Sequence, residues 1–169
     1  MKHFFKQMSL LALSLVVCSG AWAQRLVQPS ESCRDYSASS IVSFADAVLE
    51  KEVREALSIG PQDALTCALA AQLTTLDASG VGARRSVSGS PEWNDPEHLF
   101  HDLSGMQNLT GLTDLALRNR GLSDIRPLAG LTDLINLNLH TNWISDIGPL
   151  RDLTKLVRLR IAENPLSDI

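Results

Sequence analysis

A chain of 169 residues with 44% apolar, 20% charged and 5% aromatic side chains is the size of one globular domain with an accessory segment, and its composition excludes disordered, collagen-like and polytopic membrane classes. A net charge of −4 and a sequence pI near 5.5 speak against a nucleic-acid binder, which carries a basic face. Three cysteines are too few for a disulfide scaffold.

The first element is an address. Lys2 and Lys6 precede an apolar run from Met8 to Val17, and Ala21-Trp22-Ala23 has the small-x-small pattern of a signal-peptidase site. The reading is a signal peptide over 1–23, cleaved after Ala23. The apolar run is about half the ~20 residues a helix needs to cross a bilayer, so no integral membrane segment is expected after its removal. A lipoprotein signal at Cys18 fits poorly, because Val17 stands where a small residue belongs. Cleavage removes two lysines and no acid, leaving an acidic, exported chain, whether periplasmic, secreted or held at the cell surface.

Residues 24–40 are polar and read as a flexible segment. An amphipathic helix follows over Asp46–Leu57, with Val48, Leu49, Val53, Ala56 and Leu57 on one side and Gly60-Pro61 after it. A second, alanine-rich helix is expected over Gln62–Ala71. Residues 41–72 are therefore read as a helical cap over the first layer of the core that follows. Export leaves Cys33 and Cys67 as the two remaining thiols. They are either paired, stapling the segment before the first helix to the second helix, or two buried free thiols.

From Leu73 onward the chain repeats. Residues 109–130 align without gaps on 131–152, and 153–169 continue the series with a period of 22 residues. Ten of 22 positions are identical between the first two units, far above coincidence. The pattern L-x-x-L-x-L-x-x-N-x-L-x-x-I-x-x-L is that of a leucine-rich repeat. Leu115/Leu117, Leu137/Leu139 and Leu159/Ile161 are two apart, so each pair turns one side of a short strand toward the core. Asn142 and Asn164 stand where the chain leaves the strand, where a buried amide can bond free backbone groups; Arg120 interrupts that ladder. Asp102, Asp124, Asp146 and Asp168 recur in the turn, and backbone capping accounts for them better than a calcium ladder.

An interrupted first unit lies upstream. Leu73-Thr-Thr-Leu76-Asp-Ala78 matches the strand half and Phe100 to Leu109 the turn half, with 17 extra residues between them at about 82–98. That Gly-, Ser-, Arg- and Pro-containing stretch reads as a surface loop open to trypsin at Arg84-Arg85. It is either a functional loop or a tolerated insertion.

The fold class expected is therefore α/β: a leucine-rich repeat solenoid, a short right-handed superhelix with a parallel sheet on its concave face, an N-terminal helical cap and no C-terminal cap. The repeats occupy 73–169. Leu156, Leu159, Ile161, Leu166 and Ile169 have no later layer in this sequence to cover them. The expectation is association of two chains, fraying of the last unit, or a longer natural protein of which this is a piece.

Taken together, Phe44-x-Asp46-x-x-Leu49 leading a helix, Leu69…Leu73-Thr-Thr-Leu76-Asp-Ala78, and 22-residue units ending Ser-Asp-Ile-x-Pro-Leu resemble the bacterial internalin-type leucine-rich repeat proteins over about 41–169. The resemblance implies an exported module whose concave sheet binds a protein or a cell-surface structure, with no catalysis. The chain departs from that family in the 17-residue insertion and in its small number of repeats. A structural or non-functional N-terminal fragment of a longer repeat protein is the alternative.

The repeat also specifies the outward columns: Thr75, Asp114, Asn136, Arg158; Asp77, Ala116, Asn138, Arg160; Ser79, Arg118, His140, Ala162. They run from acidic to basic. The residues expected to carry partner binding are Asp114, Asn136, Asn138, His140, Arg158 and Arg160, with Trp143 at the rim or, alternatively, lying on a neighbouring loop. Glu97-His98-x-x-His101-Asp102 clusters groups of the kind that bind metals, but Asp102 has a turn to cap, so no metal, cofactor or catalytic site is expected. No serine is placed beside His140 for a triad. Asn108-Leu-Thr110 has the form of a glycosylation sequon, yet its Leu-Thr belongs to the repeat.

Overall fold

The computed structural model describes residues 24–80 and 102–166. The signal segment, the insertion over 82–98 with Trp93, the imidazoles of His98 and His101, and residues 167–169 lie outside the described residues.

Four short strands form one parallel sheet in chain order: β3 (Thr75–Asp77), β4 (Asp114–Ala116), β5 (Asn136–Asn138) and β6 (Arg158–Arg160). Their register follows the repeat, with Leu76, Leu115, Leu137 and Leu159 side by side. The 22-residue period thus becomes a translation across the sheet, and β3 joins it despite the longer spacing. Across the core from the strands run three 3₁₀ turns, Met106–Asn108, Arg126–Leu128 and Gly148–Leu150. Each is preceded by an aspartate whose Oδ1 accepts a backbone N–H two residues on, from Ser104 to Asp102 at 2.7 Å, from Arg126 to Asp124 at 2.9 Å and from Gly148 to Asp146 at 2.7 Å; in the last two the donor is the first residue of the turn. The leucines between strands and turns fill one continuous core.

Burial fades along one column. Leu115 and Leu137 are each 2% exposed, whereas Leu159, at the same register in β6, is 40% exposed. Among the described residues no strand pairs with the far side of β6.

Helix α1 (Ala47–Ala56) is started by Asp46, whose Oδ1 accepts the amides of Val48 and Leu49. It buries Leu49 and Val53 in the same core and lies against β3. Arg54 bonds Glu50 on the helix and reaches the carbonyls of Gly60 and Asp63 beyond it.

Helix α2 is shorter than the alanine-rich composition suggests. It spans Cys67–Ala70, and the expected start at Gln62 is not realised. Residues 62–66 are drawn elsewhere: the Asp63 carboxylate bonds the Gly60 amide, the Leu65 carbonyl accepts Val42 N–H at 2.8 Å, and Thr66 bridges Ile41 before capping α2. Tertiary pairing wins over helix propensity here.

Residues 24–40, which composition reads as flexible, are held in place. Leu26–Val27 (β1) pairs in parallel with Ile41–Val42 (β2), and Val27 is fully buried. Cys33 and Cys67 form a disulfide with Cα atoms 5.7 Å apart, joining this segment to α2. Gln107 donates to the Pro29 and Glu31 carbonyls, and Asn108 Oδ1 accepts the Cys33 amide at 2.7 Å. Asn108 is 1% exposed, so the sequon amide is spent inside the fold rather than offered for glycosylation.

Gly111 shows why the first unit departs from its successors. A Cβ there would lie 2.1 Å from the Ala71 carbonyl oxygen. The equivalent positions one and two units on, Asp133 and Lys155, carry side chains that pair with each other. Only the first unit has the end of α2 pressed against it.

Candidate functional site

The strands turn one side chain in two away from the core, and these outward residues stack in columns because the register is exact to the residue. They line an open groove of about 380 Å³ across all four strands. Asp114, Asn136, Asn138, Arg158 and Arg160 are brought together in it.

In the first column the Asn136 amide bridges opposite charges. Its Nδ2 donates to Asp114 Oδ1, and its Oδ1 accepts from Arg158 Nη1 at 3.4 Å. Asp114 is also held from below, its Oδ2 accepting the Thr113 hydroxyl at 2.8 Å. The half-buried carboxylate is thereby oriented, while Arg158 remains exposed. In the second column Asp77 and Asn138 accept the backbone amides of Ser79 and His140. Ala116 sits between them and leaves the groove floor shallow. Arg160 is exposed at the column's end.

The third column opens into a second depression of about 740 Å³ where Arg118, Asn138, His140 and Arg160 meet Leu159, Ile161, Glu163 and Leu166. His140 Nε2 lies 3.7 Å from Glu163 Oε2, which also accepts the Thr141 hydroxyl at 2.9 Å. Two guanidinium groups, an imidazole and an apolar strip therefore share one end of the sheet. Trp143 lines neither depression. It is 55% exposed, and its amide is bonded to the Leu122 carbonyl at 2.8 Å, on the turn that follows the ladder asparagine.

Behind the face, the asparagine ladder sets the turn geometry. Asn142 Oδ1 accepts the amides of Arg120 and Leu122 one unit back, while its Nδ2 donates to the carbonyls of Leu117 and Leu139. Asn164 does the same work for Ile144, Leu139 and Ile161. Arg120 keeps only the donor half of this series, because a guanidinium has no acceptor. It is a buried side chain whose Nε and Nη2 donate to the carbonyls of Ala78 and Ser79, and it also pairs with Glu52 of α1. An asparagine could not reach that far.

Sequence reasoning overlooked Glu163 as a member of the face and the exposed apolar pair Ile135 and Val157 beside it. The signal was present in the same 22-residue columns, since 135 and 157 occupy one repeat position and 163 flanks the ladder residue 164.

No protein-family model matches this chain, and no curated protein does. Among solved structures, an internalin (inlF) from Listeria monocytogenes is 31% identical, with a TM-score of 0.61 over 75% of this chain and 32% of its own. The functional domain of InlJ from Listeria monocytogenes, described as including a cysteine ladder, is 24% identical, with a TM-score of 0.59 over 73% of this chain and 23% of its own. The second likeness concerns the fold alone. The chain spans about a third or less of the length of each of these structures.

Proposed function

Proceeding from an internalin-type leucine-rich repeat fold, we propose that this chain is an exported binding module that engages a protein or a cell-surface structure through the outward face of its four-stranded sheet. In this reading residues 1–23 direct export, 41–72 close one end of the repeat core, and 73–169 carry the binding surface. No helix among the described residues is long and apolar enough to cross a membrane. The module binds without catalysis, metal or cofactor, and nucleic acid is not its partner.

The observation that carries the proposal is the charge gradient across a face built in register. Asp77 and Asp114 stand on β3 and β4, Arg158 and Arg160 stand on β6, and His140 follows β5. Such a gradient steers and orients a partner of complementary charge. Asp114, Asn136, Asn138, His140, Arg158 and Arg160 are the proposed contact residues, with Trp143 at the rim. Arginine is a residue type that dominates binding energy at interfaces.

The test is affinity capture with the chain beginning at Gln24, wild type against Arg158→Glu/Arg160→Glu. Both arginines are exposed, so the double variant should fold. Binding should weaken at least tenfold and its salt dependence should flatten. Unchanged affinity would overturn the proposal.

A further inference from the structure

The charges of the first outward column are tied to one another, and those of the second are not. Asn136 bridges Asp114 to Arg158. In the second column the exposed Asp77 carboxylate on β3 accepts the Ser79 amide, and the exposed Arg160 guanidinium on β6 bonds no side chain among the described residues. Ala116 and Asn138 lie between them on the same groove floor. We propose that this second column takes an extended segment of the partner protein laid across the strands, with a basic residue at Asp77, an acidic residue four positions away at Arg160, and a small residue midway. The inference rests on the reading of this face as the binding surface and names the partner's local chemistry.

The spacing comes from the sheet. Neighbouring strands lie about 4.8 Å apart, so the three steps from β3 to β6 set the ends of the column about 14 Å apart at the backbone. An extended chain advances about 3.4 Å per residue and turns every second side chain to the same face. Residues four apart therefore cover about 14 Å and both face the sheet. A spacing of three or five turns one charge away. An α-helix, rising about 1.5 Å per residue, covers the distance in about nine residues, and those two and a half turns carry the second charge to its far side.

The floor selects the middle residue. It falls between Ala116 on β4 and Asn138 on β5, where the methyl group leaves room for a small side chain. Asn138 Oδ1 already accepts the His140 amide, so its Nδ2 is the group left to donate to a ligand. Serine, small and carrying an acceptor oxygen, meets both conditions.

A second copy fits less well. Set face to face, two such depressions touch at their rims and leave the floor at Ala116 empty, whereas a single extended segment lies along it.

The test uses the chain from Gln24 onward and labelled nine-residue peptides read by fluorescence anisotropy. One has a central Lys-Thr-Ser-Thr-Glu. The other has Lys-Thr-Ser-Glu-Thr, the same composition with the charges three apart. The first should bind at least fivefold tighter. Arg160→Glu should transfer the preference to Lys-Thr-Ser-Thr-Lys, and Ala116→Leu, which fills the floor from an outward position without changing charge, should weaken binding at least fivefold at an unchanged melting temperature. Equal binding of the two peptides, no binding of either, or unaltered binding in Ala116→Leu would overturn the proposal. A chain that sediments as a dimer, and as a monomer after Arg160→Glu, would overturn it in favour of a second copy. Failure of the face reading shows separately, as unchanged affinity for a captured partner in Arg158→Glu/Arg160→Glu. Loss of that affinity together with equal binding of the two peptides would refute the extended segment alone.

Discussion

The guanidinium of Arg120 lies 3.1 Å from the carboxylate of Glu52 across 68 residues of sequence, with the arginine side chain 3% exposed and the glutamate 30%. This pair ties α1 to the first two strands, because the same guanidinium bonds the Ala78 and Ser79 carbonyls that follow β3. Where later units use an asparagine to hold the turn of the unit before, this unit has a helix to hold as well. A longer, charged side chain does both.

Truncating it should therefore be costly. Arg120→Ala leaves two carbonyls and a partly buried carboxylate without their donor, and a loss of about 3 kcal/mol in urea unfolding is expected. Glu52→Gln, which keeps a hydrogen-bonding oxygen near water, should cost about 1 kcal/mol. If Arg120→Ala were as stable as the wild type, the guanidinium would hold nothing.

Reduction of the disulfide tests how far residues 24–40 depend on it. The Cys33–Cys67 bond closes a span of 34 residues, for which the chain-entropy model gives about 4 kcal/mol. Thermal unfolding with and without dithiothreitol should show a fall of that order. Amide exchange at Cys33 should accelerate even in the folded reduced protein, since the turn would then be held by the hydrogen bonds of Gln107 and Asn108 without a covalent tie.

Three equivalent turn positions, Asn119, Thr141 and Glu163, have φ between 57° and 58°. Asparagine tolerates the left-handed region, while a β-branched residue is strained there. Thr141→Asn should stabilise the protein by about 0.5–1 kcal/mol and raise its melting temperature by a few degrees, despite loss of the exposed bond to Glu163. A drop in melting temperature would mean that the hydroxyl contact outweighs backbone strain.

Gly111→Ala should do the opposite. Its Cβ would meet the Ala71 carbonyl at 2.1 Å, so α2 must move from the first unit. A cost of about 1–3 kcal/mol is expected. The analogous change Asp133→Ala, where no helix approaches, should stay within about 0.5 kcal/mol, and equal costs at both sites would refute the packing account.

Acid should weaken the turn after Asp124. The hydrogen bonds from the Arg126 side chain, and then from its backbone N–H, hold the Asp124 carboxyl below its ordinary range. A depressed folded pKa contributes stability that is present above the unfolded value and lost as pH falls through the folded one. Asp124→Asn should therefore flatten the decline in stability below about pH 4. The effect should be small, because both partners are largely solvated.

Legibility in the sequence followed the range of the interactions. The 22-residue period determined the sheet, its register, the core leucines and the outward columns, because each unit repeats one local pattern and stacking identical units leaves a single register. The acidic-to-basic run of those columns was legible for the same reason. Tertiary structure decided what has no repeat: that residues 24–40 are pinned through Gln107, Asn108 and the disulfide, that α2 begins at Cys67 because Leu65 and Thr66 pair with β2, and that Arg120 extends the asparagine ladder to α1. It also decided that Glu163 and the exposed Leu159 belong to the same end of the face as His140 and Arg160. These contacts join segments tens of residues apart, and their partners are set by which surfaces meet after folding rather than by any local spacing.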